Sequence, residues 1–176
     1  LLNGKRFDKG GYILTYDYDK WSFIDPKEAQ KKLNLPRNPR DYTSIAVTTD
    51  DSNDEIVYAS SMGDGVIQYK NGTPVQSYNE KNAFKETAGG YGSGYCYIDG
   101  LAFDKNGNLW MTSSEVNHAV LVLDKAGAWH RLDIEQLRGV YTINDILITS
   151  TNDKWIYVPR NTPKLVMIPN SESLQV

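Results

Sequence analysis

Apolar residues in this chain fall in short runs of four or five, and the runs recur at a fixed distance. Leu101-Ala102-Phe103-Asp104 leads through Lys105-Asn106-Gly107-Asn108 into Leu109-Trp110-Met111-Thr112. Ile146-Leu147-Ile148-Thr149 leads in the same way through Ser150-Thr151-Asn152-Asp153 into Lys154-Trp155-Ile156-Tyr157. Trp110 and Trp155 hold the same place in the two copies, about 45 residues apart. An earlier copy runs from Ile45-Ala46-Val47-Thr48 through Ile56-Val57-Tyr58-Ala59 to Val66-Ile67-Gln68-Tyr69. Runs this short, rich in β-branched and aromatic residues and bounded by Asn, Asp and Gly, predict strands. Several strands per repeat at this period predict an all-β fold, a β-propeller segment built of four-stranded antiparallel blades.

Each copy divides into strands A to D from the axis outward. In the clearest copy these are Gly100–Asp104, Leu109–Ser113, Ala119–Leu123 and Trp129–Leu132. Asn106-Gly107 marks a tight A–B hairpin, because that dipeptide tolerates positive φ. Tyr12–Tyr16 and Trp21-Ser22-Phe23 predict strands C and D of a preceding blade, and the last copy stops after Leu165-Val166-Met167-Ile168. The boundaries expected are 1–23 for the end of one blade, 40–78 and 97–132 for two full blades, and 143–176 for an incomplete one. Propellers close with about four to eight blades, so two full and two partial blades predict an arc of a larger propeller. The remaining blades are expected from outside this chain.

Loop lengths point to one face. The D–A connections are long, whereas the A–B and C–D connections are short turns. In a meander of antiparallel strands the D–A and B–C loops leave on one face and the short turns on the other. Long loops on a rigid scaffold are where recognition concentrates. Asp25-Pro26-Lys27-Glu28 predicts a helical turn with an N-cap acid and Pro at the first position. Asp133-Ile134-Glu135-Gln136 predicts a weaker one, ending at Gly139.

Composition narrows the partners. A net charge of −3 with charges interspersed argues against a nucleic-acid footprint. No apolar run approaches the roughly 18 residues of a membrane span. A single cysteine, Cys96, excludes an internal disulfide. The chain starts Leu1-Leu2-Asn3-Gly4, without Met or a signal-peptide pattern, and so reads as a piece of a longer protein.

The run Gly100-Leu101-Ala102-Phe103-Asp104-Lys105-Asn106-Gly107-Asn108-Leu109-Trp110-Met111-Thr112 resembles the G-L-x-x-D-x-x-G-x-L-W-x-x-T repeat of two-component-regulator propellers in Bacteroidetes sensors. Ser113–Val120, Gly127-Ala128-Trp129, Ile143–Ile146 and Lys154–Arg160 resemble PorZ-like propellers of the type IX secretion system. The resemblance is best over 97–169 and weaker over 40–80. Met111-Thr112-Ser113 and Ile156-Tyr157-Val158 depart from the Ile-Gly-Thr ending common in that repeat, and Asn161-Thr162-Pro163 replaces a Gly-rich stretch. The resemblance implies an exported protein of the periplasm or cell surface that binds a protein or glycan and is not an enzyme. It also implies the alternative of a glycan-sensing domain in a hybrid two-component receptor. A propeller lactonase or lyase is a third reading, but that needs metal ligands or a catalytic His at the channel mouth.

Candidate site residues follow from position. Asp99 and Asp145 lie just before their A strands, within reach of a central channel, where paired carboxylates bind cations or polar ligands. The plainer reading, preferred on the turn preference of Asp, is that each caps a turn or bonds backbone N–H groups of the next blade. Glu115, Asn117 and His118 form a polar B–C loop on the recognition face, or simply a solvated one. Tyr91 and Tyr95 in the Gly-rich D–A loop are placed to stack on a sugar or partner. His118 and His130 lack a zinc-ligand spacing, and no metal or cofactor is expected. Asp104–Asn108 reads as a hairpin turn and not a calcium loop, since Leu109 stands where such a loop needs Gly. Asn71-Gly72-Thr73 reads as a C–D turn although it matches a glycosylation sequon.

Overall fold

A computed structural model describes residues 11–84, 94–160 and 162–170. The first blade contributes β1 (Ile13–Asp17) and β2 (Lys20–Ile24), followed by α1 (Pro26–Leu33). The second is β3 (Tyr42–Thr49), β4 (Glu55–Gly63), β5 (Gly65–Lys70) and β6 (Thr73–Tyr78). The third is β7 (Cys96–Phe103), β8 (Leu109–Ser113), β9 (Val120–Leu123) and β10 (Trp129–Leu132). A 3-10 turn at Glu135–Leu137 precedes the fourth blade, β11 (Asp145–Ile148), β12 (Lys154–Val158) and β13 (Lys164–Ile168).

Neighbouring strands in each blade pair antiparallel and in sequence order. The repeat is kept at the level of single residue pairs. Leu101 faces Met111, Ala102 faces Trp110 and Phe103 faces Leu109. Their counterparts Ile146–Ile156, Leu147–Trp155 and Ile148–Lys154 pair identically in the fourth blade. Strand A of the third blade starts at Cys96, earlier than the sequence suggests, because a bulge between Ile98 and Leu101 lets it continue. There Met62 and Gly63 pair with Tyr97 and Cys96, joining the second and third blades.

Alternation along the strands builds the core as three seams between blades. Successive strand residues point to opposite faces, so Val57 and Ala59 pack back on Ile13 of the first blade. Ile56 and Tyr58 pack forward on Ile98, Leu101 and Met111 of the third. Trp110, Val120 and Val122 then pack on Ile146 and Ile156 of the fourth.

At both ends of the arc the outward face is apolar and exposed: Leu14, Tyr16, Trp21 and Phe23 on one side, Leu147, Trp155, Leu165 and Met167 on the other. Trp110, inside a seam, is 2% exposed, whereas Trp155 at the equivalent position is 39% exposed. Among the described residues β1 pairs only with β2 and β13 only with β12, so no ring closes here.

The long connections fold as their residues dictate. Asp25 caps α1 by accepting the Lys27 amide at 2.9 Å, and Asn34 ends it in the left-handed conformation. The second turn forms as a 3-10 turn, but Asp133 does not cap it. Its carboxylate instead takes two bonds from the Arg138 guanidinium, each 2.6 Å.

Candidate functional site

The short-turn face is committed to structure. In the third blade Asp104 Oδ1 accepts the amides of Asn106 and Asn108, both at 2.9 Å. Its Oδ2 accepts Asn108 Nδ2 at 3.0 Å and Trp110 Nε1 at 2.9 Å. Burial alone would raise the Asp104 carboxyl, but the bonds from Trp110 and Asn108 outweigh it and leave it below the usual range. Asn152 Oδ1 accepts the Lys105 amide at 2.9 Å, tying the A–B turns of adjacent blades. Asn71 and Lys70 do the same work within the second blade, on Glu55, Asp50 and Asp54. The calcium-like run at Asp104 is thus a hairpin whose carboxylate is saturated by the chain itself.

The opposite face gathers the long connections. The B–C turn of the second blade is no more than Gly63-Asp64-Gly65, and Asp64 holds two neighbours. Its Oδ1 accepts Arg37 Nε at 2.7 Å and its Oδ2 accepts the Arg40 amide at 3.3 Å. A cleft of about 280 Å³ opens between the two D–A segments, bordered by Arg37, Asp64, Glu80, Lys81 and Tyr95. Gly63 allows it: φ is +117°, and a Cβ there would stand 2.7 Å from Tyr95 Cε2. The Tyr95 ring therefore rests on bare backbone and meets Tyr97 edge-on, with centroids 6.3 Å apart. Two cations, two carboxylates and an aromatic wall suit a ligand with both hydroxyl or amide groups and an apolar face.

The residues named from sequence do not form one cluster. Tyr95 lines the cleft, and Tyr91 lies outside the described residues. Asp99 is 8% exposed and lies 2.7 Å from Ser114 Oγ in the seam between the third and fourth blades. Burial pushes its carboxyl up to about 8, against the bonds from Ser114, and Glu115 adds to the rise. Asp145 is exposed, and its Oδ1 accepts the amide of Ile146 next to it at 2.8 Å. Asp99 and Asp145 are thus one buried and one exposed group, not a matched pair in a channel.

The B–C loop of the third blade is strapped at its start to the connection that leads into the fourth blade. The Glu115 amide bonds Val140 O at 2.8 Å and the Gly139 amide bonds Val116 O at 2.9 Å. Asn117 is exposed, while Glu115 and His118 are half-buried. Cys96 is buried, and burial pushes its thiol up to about 12, far from a reactive thiolate.

Arg37, Glu80 and Lys81 went unrecognised in the sequence because they lie outside the repeat, and Asp64 because it sits in a short B–C turn. One signal was available: an Asp between two glycines in a two-strand connection marks a tight turn whose carboxylate is free to reach neighbouring loops.

No protein-family profile matches the chain, and no curated protein matches it. Solved structures do. PorZ, an essential bacterial surface component of the type-IX secretion system of Porphyromonas gingivalis, superposes with a TM-score of 0.81 at 21% identity. The fold is a β-propeller arc. The match covers 100% of this chain and 24% of PorZ, so the chain spans about a quarter of that protein. An extracellular domain of a putative one-component system from B. thetaiotaomicron gives 0.49 at 15% identity, over 74% of this chain and 18% of its own. Another, from a putative hybrid two-component system of the same organism, gives 0.42 at 13%, over 96% and 27%. Among the described residues no helix is long and apolar enough to cross a membrane.

Proposed function

We propose that this chain is a non-catalytic arc of a β-propeller in an exported cell-envelope protein, and that its long-loop face recognises a protein or glycan partner. The observation that carries this reading is the cleft between the D–A segments, where Arg37, Glu80, Lys81 and Tyr95 meet around Asp64. Asp64 is paired with Arg37 at 2.7 Å and further held by the Arg40 amide, which supports a binding role. The likeness in fold to a bacterial surface component supports an envelope setting. Blades divided at 1–23, 40–78, 97–132 and 143–176 complete this reading, with the rest of the propeller supplied by chain beyond these residues.

A photo-crosslinking amino acid at position 81, on the cleft, and another at position 106, on the short-turn face, test it in the full-length protein in its own envelope. Crosslinks to one partner, or retention on an envelope-glycan array, are expected from position 81 or from wild type. Tyr95→Ala combined with Lys81→Ala is expected to lower that binding by about tenfold with the fold intact, because loop side chains add little to the core. A footprint confined to position 106 defeats the assignment.

A further inference from the structure

The seam between the third and fourth blades is held near its A strands by one hydroxyl. Ser114 is fully buried. Its Oγ accepts the Ile143 amide at 2.8 Å, lies 2.7 Å from Asp99 Oδ2 and sits 3.5 Å from the Ile143 carbonyl oxygen. A hydroxyl offers one proton and two acceptor sites, so that proton goes either to Asp99 or to Ile143.

The preceding seam solves the same problem without an acid. Thr43 Oγ1 donates to Ile98 O at 2.7 Å, and Ser44 Oγ accepts the Leu101 amide at 3.1 Å. Hydroxyls suffice there, so the carboxyl of Asp99 is not a structural necessity of a seam.

We propose that Asp99 is a proton-dependent latch between the third and fourth blades. Neutral, it donates to Ser114 Oγ and turns the serine proton to the Ile143 carbonyl, so that one hydroxyl holds both backbone groups of Ile143. On ionisation its proton leaves to solvent, the serine proton swings to the carboxylate, and the Ile143 carbonyl is released, so that Ile143 is held by its amide alone and that amide opens more readily.

The surroundings favour the neutral form. Glu115 and His118 lie on the β8–β9 connection, and Asp145 Oδ1 lies beside Gly100, where a Cβ would stand 2.9 Å from it. Glu115 opposes ionisation, and among the described residues no ion pair reaches Asp99. With the carboxyl pushed up to about 8, well above its unfolded value, the stabilisation is complete in acid and is lost as pH rises through about 8.

Hydrogen exchange at Ile143 in the full-length protein, corrected for intrinsic exchange, tests the latch. Protection is expected to fall about tenfold between about pH 6.5 and about pH 9.5 in the wild type. Asp99→Asn, whose amide donates as the neutral acid does, should change by less than about twofold over that range. Should Asp99→Asn fail to fold, Ser114→Ala serves: it cuts Ile143 off from Asp99 and should abolish the pH dependence. Wild-type protection that is flat with pH, or the same fall persisting in either variant, overturns the proposal.

Discussion

At the scale of residues, single side chains in this arc act as junctions between turns or between blades. Asp104 accepts four hydrogen bonds, one of them from the buried Trp110 indole. Asp104→Ala leaves that N–H without an acceptor and should cost about 2–4 kcal/mol in urea unfolding. Because the folded carboxyl lies below its unfolded value, its contribution is present above the unfolded value and is lost as pH falls through the folded one. A wild-type acid limb that survives unchanged in Asp104→Ala would count against this.

Gly100 faces a different constraint. A Cβ there would stand 2.8 Å from the Ile146 amide nitrogen and 2.9 Å from Asp145 Cα, both backbone atoms of the next blade. Gly100→Ala should therefore destabilise by about 1–3 kcal/mol and speed exchange along β11, not along β3. Asp104 was legible as a turn residue from Asn106-Gly107 beside it. The environment of Asp99 was not, because it depends on Ser114 and Ile143, which only the stacking of two blades brings together.

At the scale of elements, the strands follow from local pattern. The predicted Leu109–Ser113 and Trp129–Leu132 are the observed β8 and β10. The α1 cap also behaves as its residues demand, so Asp25→Ala should cost about 1 kcal/mol and loosen only 26–33 in hydrogen exchange. Loss of protection spreading into β4 would show that the helix supports more than itself. Asp133 shows the limit of such reading. The same acid-first pattern is diverted to Arg138, since an ion pair with a bidentate partner competes with a cap on a turn of only three residues. The cleft was half legible: Tyr95 was in view, but Arg37 lies outside any repeat and 27 residues from Asp64, which sits in a B–C turn.

At the scale of the whole molecule, the end faces decide behaviour. Trp155 occupies the same ladder position as Trp110 yet is 39% exposed against 2%. Leu147, Leu165 and Met167 share its face, and Trp21 and Phe23 lie on the opposite end. The separate chain 1–176 should therefore self-associate, since large apolar patches and open sheet edges recruit neighbours. Replacing Trp155, Leu165 and Met167 by Ser should shift sedimentation toward the monomer. A wild-type chain 1–176 that sediments as a clean monomer would contradict this account.

Period, strand order and the hairpin turns were determined by the sequence alone, because hydrophobic alternation and turn chemistry act over a few residues. The 45-residue register reappears in each ladder pair shared by β7–β9 and β11–β13. Where the cleft opens, how Asp99 is buried and which tryptophans stay uncovered were decided only by the tertiary structure. Each of these depends on which blade stacks against which, and that distance-dependent packing leaves no periodic trace along the chain.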